Sequence, residues 1–241
     1  MALNVPADGI LRTHLTWEDL QECVFEVFGK NAKFGQNKDV KDIGFASGFM
    51  SKMCLITPDF DSDLNDVPER FVVKVFSQLA FVECKGAFGD IETEFSKEEF
   101  SEKLAPELKK IHNNEIALYR MLEKYNVTKV ARPKVFYMRE FSEENQLKGF
   151  IMMEYVAGNL SYHIFDNLAP EDILQALRNI AALEAASLNF SDDDKMLFFR
   201  NIFAEIFAKV MTKEVRKVYG SANCQLKLYH FYVMFMWLFS A

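Results

Sequence analysis

Phe71-Val72-Val73-Lys74-Val75-Phe76 is a strand-like run with a single charge in it. Side chains alternate along an extended chain, so Val72, Lys74 and Phe76 share one face. Leaving an ammonium unpaired on a buried face costs on the order of several kcal/mol. Either the lysine stem reaches out to water or a carboxylate meets the charge inside. One carboxylate stands out. Leu108, Ile111, Glu115, Leu118 and Leu122 recur at steps of three and four, one face of a helix, and Glu115 is the only charge on it. A strand lysine and a helix glutamate, each on an otherwise apolar face, suggest a pair made to hold an anion such as a nucleotide phosphate. Two separate snorkelling surface charges are the alternative reading of the same residues.

Working outward, the chain has 241 residues, enough for one large domain or two small lobes with a sizeable core. Half the residues are hydrophobic and 24 are phenylalanine, a globular composition. The 28 basic and 35 acidic residues leave a net charge of -7, which argues against attraction to nucleic acid or anionic lipid. Cys23, Cys54, Cys84 and Cys224 are far apart and have no histidine at metal spacing. Reduced thiols are therefore expected, and neither a disulfide framework nor a metal site. The first 20 residues lack the basic start and apolar core of a signal peptide, so an intracellular, cytoplasmic protein is expected.

In chain order, residues 1–15 read as an unstructured lead-in. Thr16 caps a helix with Glu18 and Asp19 in its first turn and Leu20, Val24, Val27 and Phe28 as its apolar face, and Gly29 ends it. Two short strands between Val40 and Ile56 flank residues 44–51, Gly-Phe-Ala-Ser-Gly-Phe-Met-Ser. That loop is either a hairpin turn or a phosphate flap: Gly44 and Gly48 would let backbone N–H groups approach phosphate, and Ser47 and Ser51 would add hydroxyls. Residues 59–69 read as a loop and residues 83–106 as an acidic insertion facing solvent. Strands follow at 134–138 and 149–156, joined by the turn at 142–145. The expected class is α+β, with a five-stranded antiparallel sheet and one packed helix. After residues 157–159 the character turns helical, with Pro170 opening a helix striped by Ile173, Leu174, Leu177, Ile180, Ala181 and Leu188. A second helix is expected over 192–219, with Asp192, Asp193 and Asp194 at its start. The boundary near 157 divides a sheet lobe, 1–157, from a helical one, 158–241.

The order of glycine loop, Val-Val-Lys, helix with glutamate, hairpin and Met153-Glu154-Tyr155-Val156 resembles the kinase-like fold. It is most similar to the CHK kinase-like group, relatives of choline kinases, ecdysteroid kinases and aminoglycoside phosphotransferases. The stretches that carry the likeness are residues 43–49, 71–76, 112–119 (His-Asn-Asn-Glu-Ile-Ala-Leu-Tyr) and 148–156. The resemblance spans about residues 15–219 and implies a complete N-lobe, a partial helical C-lobe, and ATP with magnesium as ligands. It implies that Lys74 holds the α/β phosphates, that Glu115 orients it, and that residues 44–51 cover the phosphates. Met153 would back the adenine pocket, with the Glu154 carbonyl and the Val156 N–H on the purine edge; for Met153 and Tyr155, ordinary core packing is the other reading.

The departures matter as much. The family's His-Gly-Asp-Leu-Trp-type catalytic loop and its second metal-binding aspartate have no counterpart: none of His14, His112, His163 and His230 is followed two residues later by aspartate. No catalytic residue and no metal ligand is assigned. The chain reads as a truncated or alternative small-molecule kinase, able at most to bind nucleotide, with the phosphate acceptor unspecified. The alternative is a non-catalytic interaction module whose aromatic tail, residues 228–239, docks on a protein partner. That apolar run has 12 residues, short of the roughly 20 a spanning helix needs.

Overall fold

The computed structural model describes residues 2–44, 50–60, 64, 67–79, 98–158, 169–202 and 204–206. Helix α1 spans Trp17–Phe28. Thr16 caps it reciprocally: its hydroxyl accepts from the Asp19 N–H, and the Asp19 carboxylate accepts from the Thr16 N–H at 2.9 Å. Gly29 closes it at φ +90°, a conformation that favours glycine.

Strands β1 (Asp39–Asp42), β2 (Ser51–Thr57), β3 (Phe71–Phe76), β4 (Val135–Arg139) and β5 (Phe150–Glu154) form one antiparallel sheet in the order β1-β2-β3-β5-β4. The expected α+β class is confirmed, in the arrangement of a kinase-like N-lobe. Alternation sorts the strands' residues between two cores. Cys54, Ile56, Phe71, Val73, Val75, Phe150 and Met152 pack with Leu20, Cys23 and Val24 of α1. Val72, Ile151 and Met153 pack on the other face with Ile116 of helix α2, which runs from Glu98 to Lys124.

Three expectations need correction here. Residues 2–15 are no loose lead-in. Leu3, Ile10 and Leu15 are buried, Leu3 against α2 and the other two against α1 and the sheet, and turns tie the segment down through Ala7 N–H to Arg12 O, Gly9 N–H to Thr13 O and Ile10 N–H to Leu15 O. Turns have no apolar period, so periodicity passes over them. The insertion expected over 83–106 gives way to helix from Glu98 on, and Pro106 lies inside α2. An interior proline costs a helix about 3 kcal/mol; burial of Leu104 and Leu108 against Leu3, Phe76, Ile202 and Ile206 offsets it. Finally, the helix expected over 192–219 is broken. Its first piece, α4, is only Asp192–Lys195, Asn201 takes a left-handed φ of +60°, and helix resumes at Ile202.

Helix α3, Pro170–Ser187, starts at the expected proline. Its apolar stripe is not covered by the described residues: Ile173, Leu174, Leu177 and Ile180 are all exposed. Asn179 fastens it by accepting from the Ala131 N–H and donating to the Ala131 carbonyl. The acidic triplet fills the first turn of α4, as expected, and the cap is Ser191, whose hydroxyl accepts from the Asp194 N–H. Residues 157–158, near which a boundary between two lobes was expected, form a turn with Gly158 at φ +79°. The tail at 228–239, Cys84 and Cys224 lie outside the described residues. Within them, no helix is long and apolar enough to cross a membrane.

Candidate functional site

Strand β3 sets Lys74 between Met53 of β2 and Ile151 of β5, on the α2 face of the sheet. From there its Nζ reaches both carboxylate oxygens of Glu115, at 3.0 and 2.9 Å. The pair is largely sheltered, with the lysine side chain 16% and the glutamate 27% exposed. Two charge-assisted bonds in one contact make it a strong, directional pairing. The alternative of two independent snorkelling charges is thereby removed.

Around it the chemistry is mostly apolar. Burial, reinforced by the Glu115 charge, pushes the Tyr119 hydroxyl up to about 12, so it stays protonated. Burial lowers His112 below its ordinary value, and the neutral ring donates from Nε2 to the Arg139 carbonyl at 3.0 Å. Helix α2 is rolled relative to the face expected from apolar spacing. Leu108, His112, Ile116, Met121 and Leu122 are buried, while Ile111, Glu115 and Leu118 are half-buried. His112 is a polar residue on the buried stripe, which apolar counting skips.

The other sequence candidates fall unevenly. The Gly44 N–H donates to the Asp42 carboxylate at 2.9 Å, and the Ile43 N–H bonds the Met53 carbonyl. A Cβ on Gly44 would stand 2.8 Å from the Met53 side chain, the residue directly across from Lys74. Gly44 therefore opens its loop one strand away from the pair, where only glycine lets the backbone come so close. Ser51, at the loop's other end, is opposite Phe76. Ser47 and Gly48 lie outside the described residues. Met153 is buried beside Val72, Ile116 and Ile151. The Glu154 side chain turns away and accepts from the Lys134 N–H at 2.7 Å, and Val156 is exposed just past the strand. Gly44, Ser51, Lys74, Glu115 and Met153 thus gather on one side of the sheet.

A family model described as DUF1679, uncharacterized oxidoreductase dhs-27, matches residues 3–230. The chain belongs to that family. No curated protein and no solved structure matches it. The DUF1679 match covers both the sheet and the helical region after it, so the Lys74–Glu115 pair lies within the family's extent.

Sequence reasoning missed what holds α2. Asn113 donates to the Phe141 carbonyl and accepts from the Phe141 N–H, both at 2.9 Å. Asn114 does the same to Phe199, at 3.0 and 2.8 Å. Two adjacent asparagines inside a helix were the available signal, because asparagine is a poor helix former unless its amide has work elsewhere. A cleft of about 630 Å³ lies apart from the pair, beside the end of α1, and is lined by Phe28, Arg70, Lys134, Phe136 and Tyr155 among others. Arg70 lies over the Tyr155 ring there, 5.0 Å from its centre.

Proposed function

We propose that the chain binds a nucleoside triphosphate, ATP in the first instance, on the α2 face of its sheet, as a CHK kinase-like protein would. The observation that carries this reading is the Lys74–Glu115 pair: a lysine on the third strand, held by both oxygens of a carboxylate on helix α2, which packs on that face. A lysine so held presents a fixed positive charge to the α/β phosphates, and the carboxylate keeps it from wandering. Residues 44–51 would cover the phosphates and Met153 would wall the base pocket. The Glu154 carbonyl and the Val156 N–H would meet the purine edge.

Phosphate transfer is a different matter. It needs a carboxylate to take the acceptor's proton and metal ions across the phosphates. The chain carries no His-x-Asp sequence. We therefore read the chain as binding nucleotide without turning it over.

Oxidoreductase, in the family's name, draws no support from the sheet. Dinucleotide-binding folds use parallel strands with crossover helices, and among the described residues the strand pairings are antiparallel. A second reading, a scaffold that docks a protein partner and binds no nucleotide, is favoured by the exposed stripe on α3.

Titration of the purified chain with a fluorescent ATP analogue separates the two readings. Saturable binding that Lys74→Met abolishes supports the nucleotide reading; no binding, or binding indifferent to Lys74→Met, overturns it. ADP release is then assayed with magnesium and choline, ethanolamine or a steroid alcohol. Background rates are expected, and steady turnover lost in Lys74→Met would show that the chain is an active kinase.

A further inference from the structure

Between Ser191 and Ile206 the chain is strapped along α2, and its attachments fall in reverse order along that helix. Asp194 accepts from Lys124 Nζ at 2.6 Å and from the Tyr125 hydroxyl at 2.5 Å. Phe199 is gripped at both backbone groups by Asn114. Glu205 pairs with Lys110 at 3.0 Å, and Ile202 and Ile206 pack on Leu104 and Leu108. Two of these attachments, at Lys110 and Lys124, use long, flexible lysines that adapt to small movements of the helix. The Asn114 amide is short, and it binds one donor and one acceptor of a single residue, which fixes direction as well as distance.

Asn114 and Glu115 are adjacent in α2, so they point about 100° apart around the same axis. With side chains, a helix is about 10–12 Å across, so a roll of about 20° moves a carboxylate near its surface by about 2 Å. That is enough to break a contact of 2.9 Å between Lys74 and Glu115. On the sheet side, packing already resists such a roll. Asn113 holds Phe141, whose ring sits against Phe76 and His112 with ring centres 5.4 and 5.2 Å apart. On the outer side the clamp itself is exposed, and the packing of Ile202 and Ile206 on Leu104 and Leu108 lies more than a turn away along α2, so next to Glu115 hydrogen-bond geometry has to supply what packing does not.

We infer that Asn114 is a positioning residue: by clamping the Phe199 backbone it fixes the roll of α2 and so holds the neighbouring Glu115 against Lys74. The strap and the lysine pair are then coupled, and anything that lifts residues 196–199 from α2 loosens Lys74. The meaning of this for ligand binding rests on the nucleotide reading above, but the coupling is measurable without a nucleotide.

The test is native-state labelling with an amine-reactive reagent, with Lys74 modification followed by mass spectrometry. Paired with Glu115, Lys74 reacts slowly in the wild-type chain. Asn114→Ala is expected to raise its rate by about fivefold or more, the factor that about 1 kcal/mol of lost pairing gives. The control is Asn179→Ala, which removes an equivalent two-bond clamp, on Ala131, and is expected to leave Lys74 at the wild-type rate. An unchanged rate in Asn114→Ala, or an equal rise in both variants, overturns the inference. If Asn114→Ala does not fold, Phe199→Pro deletes the N–H that Asn114 binds while leaving α2 intact, and it is read against the same outcomes. Adding ATP to the wild type tests the other reading separately: absence of protection at Lys74 overturns nucleotide binding and leaves the positioning of Glu115 standing.

Discussion

Lys74 and Glu115, 41 residues apart in sequence, meet with the ammonium 3.0 and 2.9 Å from the two carboxylate oxygens. Neither side chain is more than about a quarter exposed, so each charge would be left poorly solvated if its partner were removed. Lys74→Met and Glu115→Gln should each cost about 1.5–3 kcal/mol, the range for hydrogen bonds to charged groups. The double substitution should cost less than the sum. Urea unfolding of the four proteins measures the difference, and strict additivity would mean that the two charges are held independently.

The N-terminal segment should behave as core. Leu15 is fully buried against α1 and the sheet, and Leu15→Ala is expected to destabilise the chain by about 2–4 kcal/mol, the usual cost of emptying such a site. Calorimetry or urea melts would show it. A loss under about 0.5 kcal/mol, typical of surface changes, would return residues 2–15 to the status of a lead-in.

Below neutral pH, stability should fall on account of the histidines. Burial sets both His112 and His14 below 6.5, and the N-terminal charge and Lys148 add to the effect at His14. The unfolded chain takes up these protons near pH 6.5 and the folded chain resists them, so protonation favours unfolding. Their contribution is present in full above pH 6.5 and is lost as pH falls below it, through the lowered folded values. His112→Gln, which retains an N–H for the Arg139 carbonyl, should flatten the slope between pH 6.5 and 5. Parallel slopes in the two proteins would assign the effect elsewhere.

Cys54 should be inert. Burial, aided by the Asp42 charge, pushes its thiol up to about 12, so almost no thiolate exists near neutrality. Iodoacetamide should alkylate it only after unfolding, and labelling of the native chain would contradict its burial.

Asp194→Asn should free the strap. Three donors, from Lys124, Tyr125 and Ser191, hold the carboxylate well below its usual range, and the amide can satisfy them only in part. Hydrogen exchange at residues 194–197 is expected to accelerate while the β3 amides stay protected. Unaltered exchange there would show that α4 is held by other contacts.

Local rules made several features of this chain readable from its residues alone. Thr16, Asp19 and Gly29 mark the ends of α1 because capping involves neighbours within a few positions. The five strands and the facing of Lys74 follow from period-two alternation, and Glu115 is singled out by helical spacing. What spacing leaves undecided is whether two charges so far apart in the chain meet, because the sheet register and the roll of α2 are set by contacts remote in sequence. Apolar counting centres the buried face of α2 on Glu115. His112, Asn113 and Asn114 set the roll instead, by binding backbone groups of Arg139, Phe141 and Phe199. No period in the chain reports such partners, since every residue but proline offers the same N–H and C=O. For the same reason the helix before Pro106, the burial of Leu3 and Leu15, and the break between Lys195 and Ile202 were decided only when the distant surfaces they pack on came together.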